Sequence, residues 1–172
     1  MGRNEASEEE IASGIGAFKK MIYKGMTGEE FIEILKERGY SYEEEGDRII
    51  VTHRGYVYLD RKTLPPGVEF KNGGHVWLKN LETLPPGVAF KNDSGVILSH
   101  LKTLPPGVAF KNGGGVNLSG LETLPPGVEF KNDGDVGLKG ILGRWLNRWE
   151  GNIEGVENKR LLNLMISKGV FI

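Results

Sequence analysis

Four lysines recur every 20 residues, Lys71, Lys91, Lys111 and Lys131, and each is followed by an asparagine: Asn72, Asn92, Asn112 and Asn132. If each 20-residue interval is one turn of a stacked coil, these side chains form rows with a rise of ~4.8 Å per rung. Neighbouring ammonium groups at that distance repel by about 1 kcal/mol in water. A bound polyanion would relieve the repulsion, so the lysine row is a candidate anion or nucleic-acid site. The same row also guards a sheet against edge-to-edge aggregation. The asparagines are expected to satisfy turn backbone groups and to stack their amides between coils. An asparagine ligand site is the functional alternative.

Other reactive residues do not assemble into a pattern. His53, His75 and His100 occupy unrelated repeat positions, so stacking makes no metal row from them. Asp133 and Asp135 hint at a calcium loop, yet the corresponding loops read NGG and NDS, and a calcium solenoid would repeat its ligands. Glu43, Glu44 and Glu45 read as a charged hairpin tip. Neither G-x-S-x-G, H-E-x-x-H nor a P-loop occurs. Catalysis needs unlike groups that converge, whereas these repeats supply rows of like ones. A non-enzymatic protein without a cofactor or metal is the expectation.

The most uneven row is the middle position of a repeated V-x-L triplet: Tyr58, Trp77, Ile97, Asn117 and Gly137. It is apolar at its N-terminal end and fades toward the C-terminus. Either N-terminal helices cover it, or Tyr58, Trp77 and Ile97 anchor a protein partner, since aromatic residues are enriched at binding hot spots. Trp145 and Trp149, four residues apart, face the same choice and read as core of a C-terminal cap.

Composition narrows the class further. The chain has 172 residues, 26 of them glycine, and no cysteine, which removes disulfide scaffolds, thiolate metal sites and cysteine nucleophiles. Lys and Arg number 22 against 23 Asp and Glu, a net charge of −1. Residues 1–50 hold 7 basic and 12 acidic groups, and residues 51–140 hold 10 and 8. Nucleic acid is therefore a possible partner but a protein is favoured. No apolar run approaches the ~18 residues of a membrane span. The opening MGRNEASEEE is too polar for a secretory signal, and Ala6 stands where a myristoylation motif wants Ser or Thr. A cytoplasmic monomer or small homo-oligomer is expected.

These rows depend on the elements that carry them. Copies of the repeat start at Leu81, Leu101 and Leu121, with a variant at Arg61 that reads RKTLPPGVEFKNGGHVWLKN. Val57-Tyr58-Leu59 resembles the end of an earlier coil that is one residue short. V-x-F and V-x-L alternate with period 2, so each predicts a very short strand with its outer residues facing inward. Pro-Pro-Gly and the Asn-Gly or Asn-Asp sequences supply the turns between them. No stretch within the repeat is long enough for a helix. Fixed-period similarity implies stacking, one supersecondary unit per repeat.

The ends read as caps. Ser7 with Glu10 and Thr27 with Glu30 are capping boxes, the first before Ile11, Ile15, Phe18 and Ile22, the second before Phe31, Ile32 and Leu35. Tyr40–Tyr42 and Ile49–Val51 predict a hairpin that feeds the first coil. Leu142, Trp145, Leu146 and Trp149 share a helical face, and a last helix is expected over about 157–168 with Leu161, Leu162 and Met165 inward. The predicted fold is mainly β: a short parallel β-solenoid of about four to five 20-residue coils. Residues 1–54 form an N-terminal α/β cap of helices plus hairpin, 55–140 the solenoid, and 141–172 a C-terminal helical cap.

The text LPPGVxFxNxGxVxL, over roughly residues 28–172, resembles leucine-rich-repeat-like β-solenoid proteins of phage and bacterial genomes, a group with no settled activity. The asparagine that usually follows L-x-L in leucine-rich repeats is absent. The resemblance implies a repeat fold and a phage-like setting. That setting suggests an accessory protein, for which inhibition of a host defence factor is one such role. A structural component of a larger assembly is a further alternative.

Overall fold

The structure is a computed structural model that describes residues 25–141, 152–153 and 156–167. The helix expected behind Ser7, and the face of Leu142, Trp145, Leu146 and Trp149, lie outside the described residues.

Thr27 opens helix α1 (Gly28–Glu37) with the predicted reciprocal cap. The Glu30 N–H donates to Thr27 Oγ1 at 3.2 Å, and the Thr27 N–H donates to the Glu30 carboxylate at 2.7 Å. Gly39, at φ +69°, ends the helix. Phe31 and Leu35 are wholly buried on one face, where they join the solenoid core and close its N-terminal end.

A hairpin follows, β1 (Tyr42–Glu45) antiparallel to β2 (Arg48–Val51). Glu43, Glu44 and Glu45 lie within β1 opposite Ile50, Ile49 and Arg48, and the turn is Gly46-Asp47, so the expected acidic hairpin tip is corrected to an acidic outer strand. The strand period overrides the polar run because Ile49, Ile50 and Val51 select the pairing. Beyond feeding the first coil, β2 is itself a rung, paired in parallel with β4 (Val68–Phe70).

From there the chain is a parallel β-solenoid. The V-x-F triplets stack as one six-stranded sheet in the order β1-β2-β4-β6-β8-β10, with β6 Ala89–Phe90, β8 Ala109–Phe110 and β10 Glu129–Phe130. The V-x-L triplets stack as a second sheet, β3 (Val57–Tyr58), β5 (Val76–Trp77), β7 (Val96–Ile97), β9 (Val116–Asn117) and β11 (Val136–Gly137). Registers advance by 20 residues, Val76↔Val96↔Val116↔Val136, except at the first coil, where Val57 pairs with Val76 and Val51 with Phe70. The short first coil read from sequence is thus accommodated without loss of register.

Between the sheets, the Val, Leu and Phe of each coil fill a continuous core in which each is at most 6% exposed from Leu64 to Leu138. Phe70, Phe90, Phe110 and Phe130 stack face to face at 5.4–5.5 Å, within 7° of parallel. At the Pro-Pro-Gly corner, Gly67, Gly87, Gly107 and Gly127 all have φ between +76° and +79°, the conformation that excludes side chains. The alternating charges of Lys62, Glu82, Lys102 and Glu122 pair along the third side, at 2.8 Å for Lys62–Glu82 and 3.5 Å for Lys102–Glu122.

Among the described residues, three of the four sheet ends meet a covering group, and the fourth is the acidic strand β1. At the start of the V-x-L sheet the Tyr40 hydroxyl serves both backbone groups of Tyr58, accepting from its N–H at 3.0 Å and donating to its carbonyl at 3.3 Å. The far end of that sheet is closed by β12 (Asn152–Ile153), antiparallel to β11. The V-x-F sheet begins with acidic β1 and ends under helix α2 (Val156–Ser167), whose Asn163 amide accepts from the Phe130 N–H at 2.9 Å and donates to its carbonyl at 3.1 Å. Leu162 and Ile166 bury this helix against the last coil, with Met165 partly buried beside them. Side-chain groups thus imitate the next coil, which closes the ladder at edges that would otherwise template another chain. No helix among the described residues is long and apolar enough to cross a membrane.

Candidate functional site

Strand alternation sends Val and Leu inward from each V-x-L triplet and leaves the middle residue on the outer face. Cross-strand partners Tyr58↔Trp77↔Ile97↔Asn117 therefore form one row, as expected from spacing. Trp77 is 43% exposed, while Tyr58 and Ile97 are half-buried. Of the N-terminal helices weighed from sequence as a cover for this row, α1 leaves Trp77 exposed, and the helix expected behind Ser7 lies outside the described residues. Tyr58 is additionally held by Tyr40, so its ring stands on a fixed backbone.

A residue not singled out from the sequence belongs to the same face. Tyr56, at 66% the most exposed large apolar side chain described, sits in the preceding row with His75, Gly95, Gly115 and Asp135. Its ring lies 5.5 Å from that of His75. The signal was available: Tyr56 occupies the His75 position once the one-residue deficit of the first coil is allowed for. Ser94 Oγ lies 2.9 Å from His75 Nδ1 and fixes that ring.

Both rows lose their aromatic residues in the same direction, one passing through Gly95 and Gly115 to Asp135 and the other through Ile97 and Asn117 to Gly137. Toward the C-terminus the face consequently opens into a groove of about 390 Å³, lined by His75, Ile97, Asn117, Ser119, Asp135 and Lys139 among others. Gly95 lets the His75 ring pack against the backbone, since a Cβ there would stand 3.0 Å from it. The arrangement is an aromatic platform continuous with a trough that has hydrogen-bonding walls.

The lysine row lies on the outer face of the other sheet and is not four open cations. Lys71 and Lys91 approach the Glu69 carboxylate at 3.2 and 3.0 Å, Arg48 also bonds to it, and Lys131 meets Glu129 at 2.5 Å. Glu69 is only 2% exposed. Burial pushes its carboxyl up, but hydrogen bonds from Lys91 and Lys71, together with their charges, outweigh this and hold it below the ordinary value of 4.5. A depressed carboxylate contributes stability that is complete above the unfolded-state value and lost as pH falls through the folded one. Unfolding free energy should therefore drop below about pH 4.5, and the drop should be smaller in Glu69→Gln when urea midpoints are compared across pH 3–6.

The four asparagines are structural donors. Each is at most 3% exposed, and each Nδ2 donates to a turn carbonyl of its own coil and to one of the coil before, as Asn92 does to Ser94 at 2.9 Å and Gly74 at 3.1 Å. This matches the turn-satisfying role expected from sequence and uses up the amide hydrogens that a ligand would need. Among the described residues, no three His, Asp or Glu side chains gather where a metal ion would sit. Comparison of the chain with family models, curated proteins and solved structures gives no match.

Proposed function

We propose that the protein is a non-enzymatic protein-binding module whose contact face is the outer face of the V-x-L sheet, with Tyr58, Trp77 and Ile97 as anchors and Tyr56 beside them. The observation that carries this is Trp77, exposed on a rigid rung between two further apolar residues and continuous with the groove. Rigid aromatic side chains bury a large area at little entropic cost on binding. Rows of like residues favour recognition by shape over chemistry on a substrate. The three covered sheet ends, and the charged side chains of edge strand β1, speak against open-ended stacking into a larger assembly. Internal pairing of the lysine row speaks against a polyanion laid along it. The likeness of the repeat text to phage and bacterial repeat proteins extends the proposal to an accessory protein that inhibits a host defence factor by covering it.

Trp77→Ala combined with Tyr58→Ala should weaken partner binding by more than about 30-fold, the loss of a hot-spot pair. Trp77→Ala alone should lower the unfolding midpoint less than a core substitution such as Phe110→Ala, because the side chain is 43% exposed on the outer row. Calorimetric titration checks the first and urea denaturation the second. Unchanged affinity in the double variant would refute the aromatic face.

A further inference from the structure

On the V-x-F sheet, the outward row reads Ile50, Glu69, Ala89, Ala109 and Glu129. Where a glutamate is present, the solenoid grips it by a simple rule. Glu69 is held by the lysine two residues on, Lys71, and by the lysine of the next coil, Lys91. Glu129 is held by Lys131, two residues on. The same rule applied to the Ala89 rung would place a carboxylate between Lys91 and Lys111. Both lysines are there; the carboxylate is not.

The space is there as well. A groove of about 260 Å³ lies over the two alanines, walled by Lys91, Lys111 and the Pro-Pro-Gly corners of their coils. Lys111 makes no ion pair among the described residues, although its charge acts on Glu129 from the neighbouring coil, while Lys91 has one neighbour in Glu69. We infer that this notch is a second binding site, on the opposite sheet from the aromatic face, and that it takes the carboxylate of an acidic peptide segment from a protein partner. The incoming side chain repeats the contacts that Glu69 makes one rung away. The occupant is argued from charge complementarity and from this internal precedent, and the proposal stands independently of the aromatic face.

The test is an NMR titration of the full chain with a hexaglutamate peptide at low salt, followed by amide shifts and repeated with Ala89→Glu and Lys111→Gln. Ala89→Glu fills the notch from within, using a residue the row already accepts at Glu69 and Glu129, so the fold should persist with an unfolding midpoint no lower than that of the unmodified protein. The expected result is shifts confined to the Ala89, Lys91, Ala109 and Lys111 rungs, with affinity at least tenfold weaker in both variants. Absence of hexaglutamate binding overturns the proposal, as does equal affinity in Ala89→Glu. A single-stranded oligothymidylate serves as the phosphate control. Tighter binding of that probe, spread over all four lysines and indifferent to Ala89→Glu, would overturn the notch in favour of a phosphate row.

Discussion

Phe110→Ala should destabilise the protein by about 3–5 kcal/mol, the range for deleting a fully buried phenylalanine where the surroundings cannot collapse. Phe110 is 0% exposed and stacked on both sides, 5.4 Å from Phe90 and 5.4 Å from Phe130. The backbone ladder fixes the spacing of coils, so neighbours cannot move in to fill the void. Two ring stacks are lost with the side chain, each contributing about 0.5–1.5 kcal/mol beyond area burial. Phe110→Leu keeps most of the volume and should cost less than half as much. Because each coil touches only its neighbours, hydrogen exchange should accelerate most at the coils of Phe90, Phe110 and Phe130 and least at Ile49–Val51. Urea unfolding checks the total, and a loss under about 1 kcal/mol would mean that the phenylalanine column is not the core described here.

The second large effect belongs to Asn112, and two substitutions separate its causes. Its Nδ2 donates to the carbonyls of Ser94 and Gly114, both at 2.9 Å, in a turn where the side chain is 1% exposed. Asn112→Ala leaves those acceptors with fewer donors, at roughly 1–3 kcal/mol per unsatisfied buried group. Both carbonyls keep other partners: Gly114 N–H still reaches Ser94, and the Asn132 amide still reaches Gly114. Removal of Asn112 also deletes an Oδ1 that has no hydrogen-bond partner, so the alanine variant should fall at the low end.

Asn112→Asp should be worse at neutral pH, since it sets a carboxylate against carbonyl oxygens with no cation to compensate. Such an aspartate can bond only when protonated, which raises its folded-state pKa. Its stability is then present at acid pH and lost as pH rises, the reverse of the Glu69 dependence. Denaturant midpoints at pH 4 and pH 7 distinguish the two signs. A variant equally stable at both would place the Asn112 amide outside the turn.

Much of this architecture is legible because a short repeat leaves few choices. Triplets with period 2, bounded by Pro-Pro-Gly and Asn-x-Gly, can only be brief strands, and a 20-residue period can only stack. The outward rows follow from alternation alone, so the shared row of Tyr58, Trp77 and Ile97 is legible from spacing. What escaped the sequence has no local signature. Arg48–Val51 lacks the LPPGVxF text, so its place as the first rung emerges only from its pairing with β4. The caps on Tyr58 and Phe130 join one side chain to a backbone 18 or 33 residues away, and nothing near Tyr40 or Asn163 announces them. The lysine row is visible in the sequence, but nothing near Glu69 marks it as the partner of that row. Only stacking brings three cations to it.

The most direct test of the proposed function is capture from bacterial lysate at low salt with the tagged full chain, with and without nuclease, read by mass spectrometry and absorbance. Three proteins run in parallel: the unmodified chain, the Tyr58→Ala Trp77→Ala variant and a Lys91→Ala Lys111→Ala variant. The account predicts a stoichiometric protein that survives nuclease, is lost with the aromatic pair, and persists without the lysines unless it also carries an acidic segment for the notch. Material that disappears with nuclease, or a partner held equally by the aromatic variant, would contradict it.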